Sequence, residues 1–469
     1  MCRSGLFLLP IVLLSGCALT PDYERPKVDV PSLYSPGVEQ GDSIANEYWW
    51  DVFQEPQLQG LIRSALAENK DLGIALSRVA QVDAQLTSTR ANQFPFLDIT
   101  ASAGRGRQSQ FIVPGAGVQN NLSIMGNVSF EIDLWLKLSR STESARADLL
   151  ASEAVHRHAS LAVVASVASS YTLLRDVDER LLIAERTVES RQGSLDIIQA
   201  RFDKGTVPEL DVNQAQVELA VAEVAVTVFQ RQIAQTEHAL SILLGRNPGP
   251  IARGVPLDEL QLLPEIPTGL PSELLQRRPD VVAAEQQLHS ETALIGVAEA
   301  LRYPSLSLTG SYGSVSNELS DLNSGDALSW GIAGNLFAPV LNWGQLKAQS
   351  EAQQARAEQA LRTYESTLQQ AFREVADALV AVRTYDEAHE AYKRQAKAAR
   401  SAERLSRARY DAGFVDYLEV QEASRSMFSA ELNESSSLRA KLNALIGLYK
   451  SLGGGWAPEE IKTASVEAR

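Results

Sequence analysis

No proline occurs between Gly115 and Val207, or between Val340 and Ala457. Proline removes a backbone donor and clashes with the preceding helical turn, so these are stretches in which a helix can run without interruption. In the first of them, apolar residues step by three and four from Leu150 through Leu161, Ala168, Tyr171, Leu181 and Ile198 to Phe202, broken only at Arg157 and Arg191. The spacing predicts one seam along a helix of about 65 residues, roughly 100 Å long at ~1.5 Å per residue. An ordinary compact domain cannot contain such a rod. Gly205 is placed to end it by adopting left-handed geometry, and Thr206 with Glu209 reads as a capping box for the next helix, with Pro208 in its first turn. Gly413 plays the same part in the second stretch, with Asp416 and Glu419 as the expected cap.

The chain writes this turn twice. RFDKGTVPELDVNQA at 201–215 returns as RYDAGFVDYLEVQEA at 409–423, 208 residues later. ANQFPFLDITASAG at 91–104 pairs with ALRYPSLSLTGSYG at 300–313, Asp133-Leu134-Trp135 with Leu341-Asn342-Trp343, and Asn69-Lys70-Asp71-Leu72 with Arg278-Pro279-Asp280-Val281. Four matched blocks in one order imply a duplicated unit of roughly 200 residues, too long for a solenoid repeat. Each unit opens with a helical pattern, about 71–93 and 280–302, stopped at Phe94-Pro95 and Tyr303-Pro304.

Strand patterns follow at once. Leu122, Ile124, Val128, Phe130, Ile132 and Leu134 alternate with Ser123, Asn127, Ser129, Glu131 and Asp133, and Leu306, Leu308 and Tyr312, then Leu328, Trp330, Ile332 and Leu336, repeat the pattern in the second unit. Loops rich in Gly, Asn and Ser, at 109–121 and 316–326, join each pair into a hairpin. Strands of this length match the ~9–11 tilted residues that cross hydrocarbon. Four strands cannot close, and a membrane barrel leaves no free edge, so several copies of the chain would have to pool their hairpins. A soluble sheet with one wet face is the alternative.

The first seventeen residues, MCRSGLFLLPIVLLSGC, give a basic start at Arg3, an apolar run too short to span a bilayer, and small residues before Cys17. Leu14-Ser15-Gly16-Cys17 is similar to a bacterial lipobox, which implies cleavage before Cys17 and covalent lipid on it. Cys2 would leave with the signal, so no thiol or disulfide would remain. Ala18 follows, where an Asp would favour the inner membrane, and the outer membrane is the expected destination. The net charge of −15 and the absence of a basic stripe argue against nucleic acid as a partner.

Taken together, Arg278-Pro279-Asp280-Val281 with Ala284-Glu285, Ile295-Gly296-Val297-Ala298 leading to Tyr303-Pro304, and the two tips ending Leu210-Asp211-Val212 and Leu418-Glu419-Val420 resemble TolC-type outer membrane factors, in the lipoprotein branch that serves RND-type efflux pumps. The likeness runs from about Tyr48 to Gly453. It implies an α+β membrane protein: a homotrimer whose copies each give four strands to a shared twelve-stranded barrel, continued by a long helical tunnel through the periplasm of a Gram-negative bacterium. The expected divisions are a signal at 1–16, a lipidated equatorial segment at 17–56, a first repeat at 57–245 with its hairpin near 95–135 and tip at 203–209, a Pro-rich equatorial linker at 246–270, a second repeat at 271–452 with its hairpin near 304–340 and tip at 411–417, and a flexible tail at 453–469. Phe94, Tyr303, Trp135 and Trp343 fall where helix meets strand, as a periplasmic aromatic girdle or as junction packing.

The resemblance implies a passive exit duct for drugs or other small toxic compounds, supplied by an inner-membrane pump through a periplasmic adaptor. It places a gate at Leu418, Glu419 and Glu422, where Glu replaces the commoner Asp. Spacing of three sets both carboxylates on one helix face, and three copies would form an acidic ring that favours cations. The alternative is that Glu419 only completes a cap and Glu422 faces water. The adaptor-docking positions are Gly205, Thr206, Val207, Gly413, Phe414 and Val415. A type I protein-secretion duct and a lipid-anchored coiled-coil scaffold are the competing functions.

Nothing in the sequence resembles a catalytic site or a cofactor site other than the lipid on Cys17. His156 and His158 point to different sides of a helix and are expected at the surface. Three methionines make no copper path. Gly453 to Gly455 reads as a flexible end.

Overall fold

The computed structural model describes residues 23–28, 53–115, 117–260 and 277–454. The signal, Cys17, most of the lipidated segment, the later part of the 246–270 linker and the tail from Gly455 lie outside the described residues. The elements are α1 (Pro56–Glu68), α2 (Lys70–Ala91), β1 (Phe96–Arg107), β2 (Val118–Ile132), α3 (Lys137–Asp203), α4 (Glu209–Leu243), α5 (Pro279–Ala300), β3 (Ser305–Ser316), β4 (Leu328–Phe337), α6 (Gln345–Asp411) and α7 (Tyr417–Ser451). The series helix, hairpin, long helix, returning helix occurs twice: α2 and α5 have 22 residues each, α3 and α6 have 67, and α4 and α7 have 35. The chain forms two compact units, each drawing on both sequence halves.

The first unit (Met1–Lys27, Arg78–Ser152 and Ala283–Glu365) carries one antiparallel sheet in the order β1-β2-β3-β4. Side chains alternate across a pleated strand, so the register decides what each face is made of. One row across the sheet runs Leu97, Val128, Gly310, Ile332, and the next on that face runs Ile99, Gly126, Tyr312, Trp330. The opposite face reads Asp98, Asn127, Ser311, Gly331. On it Asn127 donates to Asp98 at 2.9 Å and Thr100 at 3.2 Å, and the Ser102 and Ser123 hydroxyls lie 2.8 Å apart. The large apolar side chains of the first face are exposed. β2 and β3 join the two hairpins, and Gly313 sits in that seam: a Cβ there would lie 2.0 Å from the Ile124 carbonyl oxygen and 2.7 Å from the Met125 Cα.

β2 ends sooner than its alternation suggests. Asp133 leaves the strand and accepts from the Leu138 and Ser139 amides at 2.9 and 2.8 Å, satisfying donors at the start of α3. The connection turns through Leu136 at φ 61°. Trp135 is held by junction packing: its indole donates to the Pro304 carbonyl at 2.7 Å and its ring lies 5.0 Å from that of Tyr303. Phe94 and Trp343 are exposed.

The second unit (Val28–Ser77, Glu153–Val282 and Ser366–Arg469) buries the main core, in which Phe53, Leu58 and Ile62 pack with Tyr171, Leu174, Leu240, Leu448 and Tyr449. The Glu55 carboxylate caps α1 through the Leu58 amide and accepts from the Tyr171 hydroxyl at 3.2 Å, which itself accepts from the Gly254 amide at 2.9 Å. Arg253 bridges Asp178, at 3.1 Å, and Glu237. The described start of the linker is thereby tied to helices α3 and α4.

The matched blocks at 69 and 278 do the same task with different chemistry. Asn69 accepts from the Asp71 and Leu72 amides and donates to the Leu243 carbonyl at 2.8 Å, tying the start of α2 to the end of α4. Arg278, buried, holds Asp280 through two bonds of 2.9 and 2.6 Å, reaches Glu374 at 2.7 Å and donates to the Ser451 carbonyl at 3.2 Å, tying the start of α5 to the end of α7. Burial pushes the Asp280 carboxyl up, but the bonds and charge of Arg278 outweigh it and hold it below the usual carboxylate range.

One expectation is corrected here. Gly453 and Gly454 are buried parts of the α7 cap: Gly453 takes φ +73° and donates to Lys450, Gly454 donates to the Tyr449 carbonyl, and a Cβ on Gly454 would overlap the Tyr449 ring. His156 and His158 lie half-buried on α3.

Candidate functional site

The tips lie in the second unit, where α3 turns into α4 and α6 into α7. Both turns are closed by the same backbone pattern. Gly205 (φ +73°) donates to the Phe202 carbonyl and the next amide, Thr206, to Arg201; Gly413 (φ +76°) donates to Tyr410 and Phe414 to Arg409. This pattern displaces the expected capping box. The Thr206 hydroxyl donates back to the Arg201 carbonyl at 2.8 Å, Pro208 takes the N-cap position of α4, and neither it nor Asp416 on α7 makes a side-chain cap bond.

A small core binds the two tips together: Ile198, Val212 and Ala215 pack against Tyr417 and Val420. Val207 leans on this cluster, so of the six docking positions only Gly205, Thr206, Gly413 and Phe414 are exposed; Val415, like Val207, is half-buried. Phe414 is 78% exposed and Leu418 61%. Arg201 lies over the Tyr410 ring at 4.9 Å.

The two expected gate carboxylates each have a guanidinium of their own chain. Glu419 accepts from Arg409 at 2.7 Å, and Glu422 lies 3.6 Å from Arg425. Arg425 faces two ways, since it also donates to Glu218 at 2.8 Å. Glu218 is buried on α4 and meets the buried Arg191 of α3 at 3.0 Å, while Arg191 also donates to the Glu218 carbonyl at 2.5 Å and lies over the Phe428 ring at 5.3 Å. Burial holds the Arg191 guanidinium below its ordinary value, with the Glu218 charge acting against that. Arg191, which breaks the apolar seam in the sequence, is thus the inner member of a charge chain reaching Glu422 at the surface. Asp211 adds a further acid: burial first, then the facing Asp416 charge, raise its carboxyl above the ordinary value.

The outer membrane efflux protein family model matches residues 61–246 and again 270–454. The probable efflux pump outer membrane protein TtgC of Pseudomonas putida is 34% identical over 455 residues, covering 95% of this chain and 94% of that protein. The cation efflux system protein CusC of Escherichia coli is 32% identical over 457 residues, covering 96% of this chain and 98% of that protein. The solved open state of the MtrE outer membrane channel of Neisseria gonorrhoeae aligns with a TM-score of 0.85 and 32% identity over 94% of this chain and 98% of that one. The chain is a transport conduit of the bacterial outer membrane; it belongs to the outer membrane efflux protein family and serves as the outer membrane channel of an efflux pump.

Proposed function

We propose that three copies close their sheets into one barrel, β4 of each pairing with β1 of the next, and that the paired helices of the three copies line a tunnel below it. The observation that carries this is the sheet itself: one exposed apolar face, one face of small hydrogen-bonded polar groups, and β1 and β4 each with one unpaired edge among the described residues. An open edge in hydrocarbon costs several kcal/mol per unsatisfied group, and only closure removes it. The matched blocks and twice-repeated element order support a duplicated unit. Cys17 is the proposed lipid attachment point.

The duct takes substrate from an inner-membrane pump through an adaptor seated on the tips, with Gly205, Thr206, Gly413 and Phe414 as the exposed part of that seat. Relatives named for toluene, antibiotic, solvent and cation efflux support small toxic compounds as cargo. Deleting the gene is expected to sensitise cells to several amphipathic compounds and restoring it to reverse this; sensitivity to metal ions alone would narrow the cargo, and no change in either would count against the efflux of small molecules.

Leu418, Glu419 and Glu422 are the proposed gate. Because Arg409 and Arg425 lie beside the acids, the cation preference of the ring depends on how far those partners neutralise it. Changing both acids to Gln is expected to lower cation over anion permeability about two- to threefold in a planar bilayer. Unchanged selectivity would remove the ring from the mechanism.

A further inference from the structure

We infer that Arg105 and Arg107 form a binding site for the phosphate-bearing headgroup of an outer-leaflet lipid. The register places both on the apolar face: they continue the row Leu97, Ile99, Ala101, Ala103 on β1, opposite Val128, Gly126, Ile124 and Leu122 of β2. Beyond Ala103 that row changes from hydrocarbon to guanidinium without changing face. Both arginines are exposed, and no ion pair joins either to a carboxylate among the described residues.

The change falls at a meaningful height. At ~3.4 Å per residue and the ~40° tilt of closed barrels, Arg105 lies about 21 Å and Arg107 about 26 Å above Leu97. The apolar band of such barrels is ~25 Å tall, so the pair sits at its outer boundary. There a guanidinium escapes the cost of hydrocarbon and meets headgroups instead. Arg105 and Arg107 lie on the same face about 7 Å apart, close enough for two planar forks to hold phosphate oxygens of one headgroup. The chain supplies apolar support next to them: Phe111 and Ile112, in the loop that follows, are fully or largely exposed. Asn120, opposite Arg105, is turned to the Asn317 carbonyl at 3.2 Å and leaves the arginine free of that neighbour. The site rests on the proposal that the strands cross the outer membrane.

The test uses the full chain extracted in detergent, with bisphosphorylated lipid A and its dephosphorylated form as probes and retention read by native mass spectrometry. Wild type is expected to retain the phosphorylated probe at least about tenfold better, a preference lost in R105Q/R107Q while the assembly and its membrane insertion persist. Equal retention of the two probes by wild type overturns the inference. So does displacement of the lipid by inorganic phosphate, which would make this an ion site. Loss of assembly in R105Q/R107Q matched by D326N, Asp326 being the acid just before β4, would assign the arginines to an ion pair with a neighbouring copy and also overturn it. If wild type fractionates without detergent, the membrane reading itself fails; insertion with no preference isolates the failure to the arginines.

Discussion

Valine at position 313 is expected to abolish assembled protein in the outer membrane, with heat-resistant oligomer falling at least about tenfold while total synthesis is unchanged. The collision is with backbone on the facing strand, 2.0 Å from the Ile124 oxygen and 2.7 Å from the Met125 Cα, so no rotamer change relieves it. Overpacking against movable side chains costs about 1–3 kcal/mol. Here relief requires β2 and β3 to separate, which breaks the pairing between the hairpins. Gly104→Ala is the matched control. Its Cβ would meet nothing nearer than 3.9 Å, and assembly should survive. Normal levels of Gly313→Val oligomer, by gel mobility without heating, would show that the seam is not needed for closure.

The second large effect is expected from Glu218→Leu. It removes the only carboxylate near Arg191 within 4.0 Å among the described residues and one of two near Arg425, leaving a buried guanidinium beside the tip core. Breaking a buried pair by removing one partner costs about 3–5 kcal/mol. The tips should loosen before the rest of the protein: basal conductance in a bilayer rises severalfold, and protease cuts near Gly205 or Gly413. Adding Arg191→Met and Arg425→Met should return both readouts toward wild type, because an uncharged cluster has no stranded charge. If the single variant is as closed and as resistant as wild type, the cluster is not what holds the tips.

The periodic parts of the fold were legible in the sequence because they express local geometry. Steps of three and four mark α3, and alternation marks β2, since each residue's neighbours lie within a few positions along the chain. Legibility stopped where a partner is distant. Arg191 looked like a fault in an apolar seam because Glu218 is 27 positions away and Arg425 is on α7; no local pattern joins them. Asp133 looked like one more polar strand residue, although its carboxylate serves amides five and six positions on. At the tips, Thr206 and Glu209 have the spacing of a capping box, yet the glycine turn takes the threonine hydroxyl first. The Gly453-Gly454 pair failed for the opposite reason: composition suggested freedom, and the Tyr449 ring and the Arg278 backbone fill the space beside it.

The turns at Gly205 and Gly413 are built from amides and carbonyls of the main chain, and both have open space where a Cβ would go. Reversal of the chain and recognition of a partner are therefore separable traits. On the proposed adaptor seat, side chains such as Phe414 can drift under selection for a new partner without altering the turn that displays them, whereas the glycines are tied to their left-handed geometry. A lineage could exchange pumps through a handful of surface replacements and keep the same duct.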